Sequence, residues 1–587
     1  MLTMDDSLST YRGFKKLALA GLLAIIACIL WELGWPLDND EYKIIIIGLN
    51  LATIVHLIGV IGSYLTNKEL RPPIRLLIFQ VIGCLIILFL LTSEDSFDVE
   101  KLKQSELIRL IATIGLVIIP ALVSLTHVFE WLIKRQGKAK PIMPPSMQFV
   151  ASLVFIILSG AGLLLMPNST FAGISFMDAL FTSTSAVCVT GLSTINFSET
   201  FTTTGQVFVI CLIQIGGLGV MTFAYFIAMI AGQGFSLKDH VLLKNLLDES
   251  NLNAAVKFVR SIVVLTLSIE LMGAVFLYFS WQQFGDVING KPLWWHAIFH
   301  AISAFCNAGF STFHNGLMEQ GIITCKSAQA TIMALIAMGG LGFSIYYEIG
   351  THVSKASQKK KPLSRIPWTP YFKLVLITTF ILIVGGALTM GFIHHMNGGK
   401  DLGTSMWIGL FDSVSSRTAG FSITNMGAYL PSTAMVLCAL MVIGGSPGGT
   451  AGGVRTTTIA IAAGEIMRIL QGKQRVQFFR RSIERDVVDR CLVVLVMTGG
   501  WLGTMTLLCT YLRPDLSPLA LFFENCSAFA TVGLSLNLTP LLETPEKWII
   551  ITDMILGRAG IFLFFSALVG TPKPQHYHYP SVRIPLT

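Results

Sequence analysis

Four glycines of this sequence sit in one recurring pattern. Gly191 follows Phe181 by ten residues and Ser185 by six, and it opens Gly191-Leu192-Ser193; Phe299, Ser303 and Gly309-Phe310-Ser311 keep those offsets, as do Phe523, Ser527 and Gly533-Leu534-Ser535. The third copy, with Phe411, Ser415 and Gly420-Phe421-Ser422, is one residue shorter. The glycines lie 118, 111 and 113 residues apart, an internal fourfold repeat in which each copy stands after a short apolar segment and before a long one. The chemistry these residues offer belongs to the backbone. Glycine reaches φ > 0 and adds no side chain where backbones approach, and a ring of backbone carbonyls can replace the hydration shell of a monovalent cation. Non-helical backbone at membrane depth is tolerated only when packed in protein or lining a wet cavity, so four related loops imply a shared wet axis. Easing of helix packing, the other common use of glycine in membranes, leaves the fixed Phe and Ser offsets unexplained.

Such loops need a bilayer and helices to hold them. The chain has 587 residues, 53% hydrophobic and 13% charged, with a mean hydropathy of +0.69, the composition of a polytopic membrane protein. The basic residues behind its net charge of +8 cluster in short loops between apolar spans, where they orient helices, and this argues against a nucleic-acid partner. The ten cysteines include no CxxC pair and suggest neither a disulfide framework nor a zinc site. The apolar run after Met1–Lys16 has no convincing cleavage site, so an uncleaved first helix is expected. Stretches of the ~20 residues that cross a bilayer precede the repeats at Leu17–Trp35, Ile44–Leu65, Leu76–Thr92 and Leu110–Phe129. The loops between them alternate basic and acidic, which predicts a cytoplasmic N-terminus; the expected location is the plasma (inner) membrane.

Each repeat then reads as a span, a short re-entrant pore helix, the glycine loop and a second span. The paired spans are Phe149–Met166 with Val207–Ile230, Ile262–Phe279 with Ile332–Ile349, Leu374–Met390 with Ala434–Ile461, and Cys491–Leu512 with Trp548–Leu568. The expected fold is an all-α polytopic membrane protein of twelve spans, with four repeated units around one pseudo-fourfold pore. Residues 1–140 hold the extra N-terminal helices, 141–235, 236–352 and 353–470 the first three pore repeats, and 471–587 the fourth with the C-terminal tail.

Gly444, Gly445, Ser446, Pro447, Gly448, Gly449, Thr450, Ala451, Gly452 and Gly453 put six glycines and a proline in the middle of one second span. At about 1 kcal/mol per Gly and ~3 for Pro, the helix should break there. Arg558 interrupts another apolar run, at a cost of at least ~2.5 kcal/mol unless it meets a cavity or a partner. The broken segment's freed carbonyls offer one, and together the two read as a gate just inside the loops. Asp412 and Glu524 each follow the anchoring Phe, where a carboxylate would either concentrate cations or prop the adjacent loop. His296 and His300 are read as helix packing rather than metal ligands, and His576 and His578 as part of a packed or interfacial C-terminus rather than a metal-holding tract. Glu270, in an apolar span, either serves function or pairs with a neighbouring helix. No nucleophile or general-base constellation appears, which weighs against a membrane-embedded enzyme.

Val187-Cys188-Val189-Thr190-Gly191-Leu192, Cys306-Asn307-Ala308-Gly309-Phe310, Arg417-Thr418-Ala419-Gly420-Phe421 and Ala530-Thr531-Val532-Gly533-Leu534 resemble the four filter loops of the Trk/Ktr/HKT superfamily of potassium transporters. Gln214–Gly219, Met338–Gly342, Ile443–Gly453 and Gly557-Arg558 resemble its second spans. Two departures stand out: four leading helices where bacterial members often carry two, and no proline after the glycine in Gly557-Arg558-Ala559-Gly560-Ile561. The resemblance implies potassium uptake through a selectivity filter made of Val189, Thr190, Gly191 and Leu192, Asn307, Ala308, Gly309 and Phe310, Thr418, Ala419, Gly420 and Phe421, and Thr531, Val532, Gly533 and Leu534, with K+ held at the four glycines. It implies no cofactor in this chain, a homodimer with one pore per subunit, and a separate cytosolic RCK-type regulatory subunit that carries the nucleotide. An H+- or Na+-coupled potassium symporter remains the alternative to a channel.

Overall fold

The computed structural model describes residues 4–36, 39–66, 145–219, 252–285, 287–288, 290–359, 367–398, 401–562 and 564–565. Two N-terminal helices, α1 (Met4–Gly34) and α2 (Asn39–Thr66), pack as a pair in which His56 Nδ1 meets the Ala18 carbonyl at 2.7 Å. The expected spans at 76–92 and 110–129, and His576 and His578, lie outside the described residues.

Four helices among the rest are short and largely buried: α4 (Phe176–Cys188), α7 (Leu293–Cys306), α11 (Leu402–Ser415) and α15 (Pro518–Phe529). At 12 to 14 residues and ~1.5 Å per residue they fall well short of a ~30 Å bilayer core. Their starts are set locally. Ser175 accepts from the Asp178 N–H at 3.1 Å ahead of α4, Asp401 accepts from the Gly403 N–H at 3.1 Å ahead of α11, and α15 begins on a proline.

Each short helix lies between two others. The leading helices are α3 (Pro145–Leu164), α6 (Leu252–Trp281), α10 (Pro370–Gly398) and α14 (Arg485–Leu512). The trailing ones are α5 (Thr203–Leu218), α8 with α9 (Lys326–Gly340, Phe343–Lys359), α12 with α13 (Pro431–Val442, Thr456–Leu470), and α16 (Thr544–Ala559). Among the described residues, Lys16–Gly34, Ser261–Phe284, Pro370–Asn397 and Arg485–Leu512 are long and apolar enough to cross a membrane.

The trailing segments depart from the expected continuous spans. Helix α5 is ended by Gly219 (φ 81°), and the fourth trailing span is interrupted at Gly560 (φ 86°), after which residues 561–562 and 564–565 are helical again. Residues 220–251 lie outside the described ones, as do 563 and 566–587. The expected span Ile332–Ile349 is two helices meeting at 88°. Its break at Leu341-Gly342 frees the Gly339 and Gly340 carbonyls, which accept from the N–H groups of Thr450 (3.4 Å) and Ser446 (3.0 Å). The span Ala434–Ile461 breaks as its glycines predict, with Ile443 to Arg455 outside any helix.

Successive units are tied at matching positions. The Trp295 indole N–H of α7 donates to Gln206 of α5 at 2.9 Å, the Trp407 indole of α11 donates to Gln329 of α8 at 2.6 Å, and Lys547 of α16 pairs with Asp178 of α4 at 2.8 Å. Gln206, Gln329 and Lys547 each stand ten residues before a glycine, Gly216, Gly339 or Gly557, whose missing side chain lets the trailing helix lie against the end of a short helix. A Cβ there would collide with the carbonyl oxygen of Val187, Phe305 or Phe529 respectively. Gly339→Ala and Gly557→Ala should therefore each destabilise the protein by about 1–3 kcal/mol or more. Gly500→Ala, inside helix α14 (Arg485–Leu512) with nothing within 4 Å of its added Cβ, should leave the melting temperature of the detergent-solubilised protein at or above the parental value.

Candidate functional site

The four short helices end in the glycine loops, and each loop turns the same way. Two residues before its glycine stands a non-glycine residue at positive φ: Val189 (59°), Asn307 (62°), Thr418 (76°) and Thr531 (51°). A β-branched residue there is strained by about 1–3 kcal/mol, and the surrounding contacts must over-determine it. Those contacts come from the end of the loop's own helix. The N–H groups of Thr190, Ala308 and Val532 donate to the carbonyls of Ser185, Ser303 and Ser527 at 2.7, 2.7 and 2.8 Å, and that of Ala419 donates to Ser415 at 2.9 Å.

The repeated serine supplies one further tie. Ser185 and Ser527 accept from the Gly191 and Gly533 N–H groups at 3.0 and 3.1 Å, whereas Ser303 donates to the Phe310 carbonyl at 2.8 Å and Ser415 donates to that of Phe421. This accounts for the fixed offset between serine and glycine. Leu192, Phe310, Phe421 and Leu534 are buried and hold the loops from behind.

The loops face one another in chain order. A Cβ at Gly191 would strike the Ala308 carbonyl oxygen, one at Gly309 that of Ala419 (2.8 Å), one at Gly420 that of Val532, and one at Gly533 that of Thr190. The fourth loop thus returns to the first. Asn307 and Thr418 also meet across loops two and three at 3.2 Å. No described N–H or O–H donates to the carbonyl oxygens of Val189, Thr190 and Gly191, Asn307, Ala308 and Gly309, Thr418, Ala419 and Gly420, or Thr531, Val532 and Gly533. Twelve acceptors are therefore gathered around four glycines, while ten of the twelve N–H groups of the same residues, all but those of Gly309 and Thr418, donate to the preceding helix.

Behind the loops, the residue after each anchoring Phe braces the outer chain in three copies. The Glu524 carboxylate accepts from Ser535 Oγ at 2.5 Å, Thr539 Oγ1 at 2.7 Å and the Leu536 N–H at 3.2 Å. Asp412 Oδ2 accepts from Tyr429 Oη at 2.7 Å and meets His394 Nε2 at 2.9 Å. His300 meets Ser311 Oγ at 2.8 Å, and His296 lies between Thr312 Oγ1 (2.6 Å) and the Ile288 carbonyl (2.9 Å), which is a packing role for both histidines. Among the described residues no cluster of three or more His, Cys, Asp or Glu could hold a metal. Glu270 is paired with Gln214 Nε2 of α5 at 3.1 Å and accepts from Cys306 Sγ at 3.6 Å, beneath the second loop.

The broken segment folds back on itself. Its two ends bridge, with the Gly444 N–H donating to the Val454 carbonyl at 2.9 Å and the Val454 N–H to that of Val442 at 3.2 Å. The Phe343 N–H donates to the Gly448 carbonyl at 3.0 Å and Tyr371 Oη to that of Pro447 at 3.0 Å. Arg558 donates to the carbonyls of Thr450 and Gly216, so the segment does supply its partner. Two further arginines, absent from the expected site, hold the same segment: Arg455 through the Ala451 carbonyl, and Arg417 through that of Gly444 at 3.3 Å. Their signal was present in the sequence. Arg455 lies just past the glycine run, and Arg417 stands three residues before a loop glycine, where the other copies carry Cys188, Cys306 and Ala530.

Because Asp412 and Glu524 are committed to these hydrogen bonds, Asp412→Asn and Glu524→Gln should reduce ion flux in proteoliposomes by a similar factor at all ionic strengths. A loss confined to low ionic strength would instead mean that the charges act on ions at long range.

The model of the TrkH family, described as cation transport protein, matches residues 119–570. The chain is 34% identical over 440 residues to Ktr system potassium uptake protein B of Bacillus subtilis (strain 168), covering 74% of this chain and 95% of that protein. It is 35% identical over 456 residues to the potassium/sodium uptake protein NtpJ of Enterococcus hirae, covering 76% and 97%. The crystal structure of the potassium transporter TrkH from Vibrio parahaemolyticus shares the fold, with a TM-score of 0.58 at 17% identity over 91% of this chain and 99% of that one. With its apolar helices, the match places this multi-pass membrane protein in the TrkH family of cation transport proteins.

Proposed function

We propose that the chain mediates potassium uptake through one pseudo-fourfold, channel-like pore whose selectivity filter is the four glycine loops. The observation that carries this reading is the set of twelve carbonyl oxygens, without donors among the described residues, around four mutually facing glycines. Carbonyls so gathered can replace the water shell of a dehydrated monovalent cation. Glycine in all four copies leaves the ring open to potassium, and the unequal loops, with Val189, Asn307, Thr418 and Thr531 at one level, give a modest preference over sodium. The relatives named for potassium uptake and for potassium/sodium uptake support the substrate class.

The segment 443–454 with Arg558 is the gate in this reading. It is backbone without regular structure, lies against the kink of α8 and α9, and is pinned by a guanidinium whose charge opposes cations on the same path. A homodimer of such subunits, controlled by a separate cytosolic RCK-type subunit that binds the nucleotide and moves the attached helices, completes the proposal.

Gly191→Ser and Gly533→Ser should each lower the potassium over sodium flux ratio in proteoliposomes; an unchanged ratio in both would remove the loops from the permeation path. Potassium flux that stays independent of an imposed proton or sodium gradient supports the channel, and obligatory dependence on either gradient supports the symporter. Deleting Ser446 to Gly449, or replacing Arg558 with Ala, should raise flux in the absence of the regulator. Normally inserted variants that conduct no more than the parent would place the barrier elsewhere.

A further inference from the structure

Arg417 does not belong to either part of that mechanism, yet it touches both. Its backbone is the start of the third loop: its N–H donates to the Val414 carbonyl at 3.3 Å as α11 ends, and the next residue is Thr418 at φ 76°. Its side chain runs the other way. Nη2 donates to the carbonyl of Gly444, where the trailing span breaks, at 3.3 Å, and Nη1 donates to that of Thr379 in the leading helix α10 at 3.4 Å. The residue is only 7% exposed, and Nε has no partner among the described residues.

The neighbouring copies show what is unusual. At the same place, three residues before the glycine, Cys188, Cys306 and Ala530 are small, and a Cβ built at Gly217 or Gly453 of the trailing segments would meet Cys306 or Ala530. In those copies the underside of the loop meets the trailing segments through a small uncharged side chain, with the Cys306 thiol donating weakly to Gln214 of α5 at 3.7 Å. The third copy replaces that contact with a guanidinium, and the third trailing span is broken open to accept it.

The bonds are long for charge-assisted ones, which settle at about 2.7–2.9 Å, and the guanidinium meets two neutral carbonyls rather than a carboxylate among the described residues. An under-satisfied buried charge gains or loses strongly with small displacements of its few acceptors. Packing around the guanidinium is incomplete, with a cavity of about 10 Å³, at most the size of one water, between Arg417, Gly340, Gly445, Thr379 and Val414.

We propose that Arg417 is a positioning residue that couples segment 443–454 to the third loop, so that displacement of the segment changes ion preference as well as flux. When Gly444 moves, its carbonyl draws or releases the guanidinium, and the pull is delivered three residues from Gly420, at the strained Thr418. Preference between potassium and sodium then depends on the state of the segment. This rests on the reading of the loops as filter and the segment as gate.

The test is the potassium over sodium flux ratio, with total flux recorded beside it, for the reconstituted full-length parent, Arg417→Gln and Arg417→Lys, each with and without deletion of Ser446 to Gly449. In the parent the deletion should shift the ratio. Arg417→Gln alone should lower it toward unity, and the deletion should then add flux without a further shift. Arg417→Lys, which keeps the charge and reaches one carbonyl, should fall between. A parental ratio in Arg417→Gln, or an equal further shift on deletion in parent and variant, overturns the coupling. Should Arg417→Gln fail to reconstitute, Arg417→Lys decides, and a parental ratio there overturns it equally. Total flux unchanged by the deletion would count against the gate alone, because the ratio of Arg417→Gln without the deletion still tests the link to the loop.

Discussion

Four helices end by donating the N–H groups of the following loop back to their own last turn, through the carbonyls of Ser185, Ser303, Ser415 and Ser527. This spends the donors and leaves the carbonyls. In water such an arrangement would cost little, but at membrane depth each unmet carbonyl is expensive unless something replaces water at it. The remaining structure keeps four such loops together: leucines and phenylalanines behind them, carboxylates and a histidine bracing their outer chains, and glycines that let the trailing helices lie against the helix ends.

The strain in the loops is part of the same arrangement. Valine and threonine at positive φ are unfavourable in isolation, and their backbone conformation holds because the adjacent N–H bonds admit no other. In the proposed filter, such a backbone would resist collapse onto a smaller ion, the property a carbonyl ring needs to discriminate by size or field. Three polar ties, Trp295 to Gln206, Trp407 to Gln329 and Lys547 to Asp178, link the second unit to the first, the third to the second and the fourth to the first.

Below the loops the third unit differs from the others in kind. Its trailing span opens into a segment whose carbonyls are claimed by Arg417, Arg455 and Arg558, while its N–H groups lean on the kink of α8 and α9. The break in one span and the kink in another are thus one hydrogen-bonded structure. Each supplies the groups that the other leaves free, so neither can straighten alone.

Several of these features follow from the amino-acid sequence by itself. Offsets of Phe, Ser and Gly repeat because they encode a helix end, its tie to the loop and the close approach between loops, all within ten residues of one another. The break at Gly444 to Gly453 is likewise a matter of local propensity, and the search of Arg558 for a carbonyl partner follows from the cost of a bare charge in an apolar run. Only the tertiary structure decided what meets across long separations. Ile332 to Ile349 reads as a continuous apolar span, and its 88° bend is fixed by its carbonyls' bonds to Ser446 and Thr450, far along the chain. Asp412 and Glu524 became braces because Tyr429 and Thr539 arrive beside them. Arg417, one charged residue among small counterparts, acquired its role when Gly444 was brought within reach. Hydrophobic period and backbone propensity are short-range signals, whereas the partner of a buried polar group depends on packing between elements that no local pattern specifies.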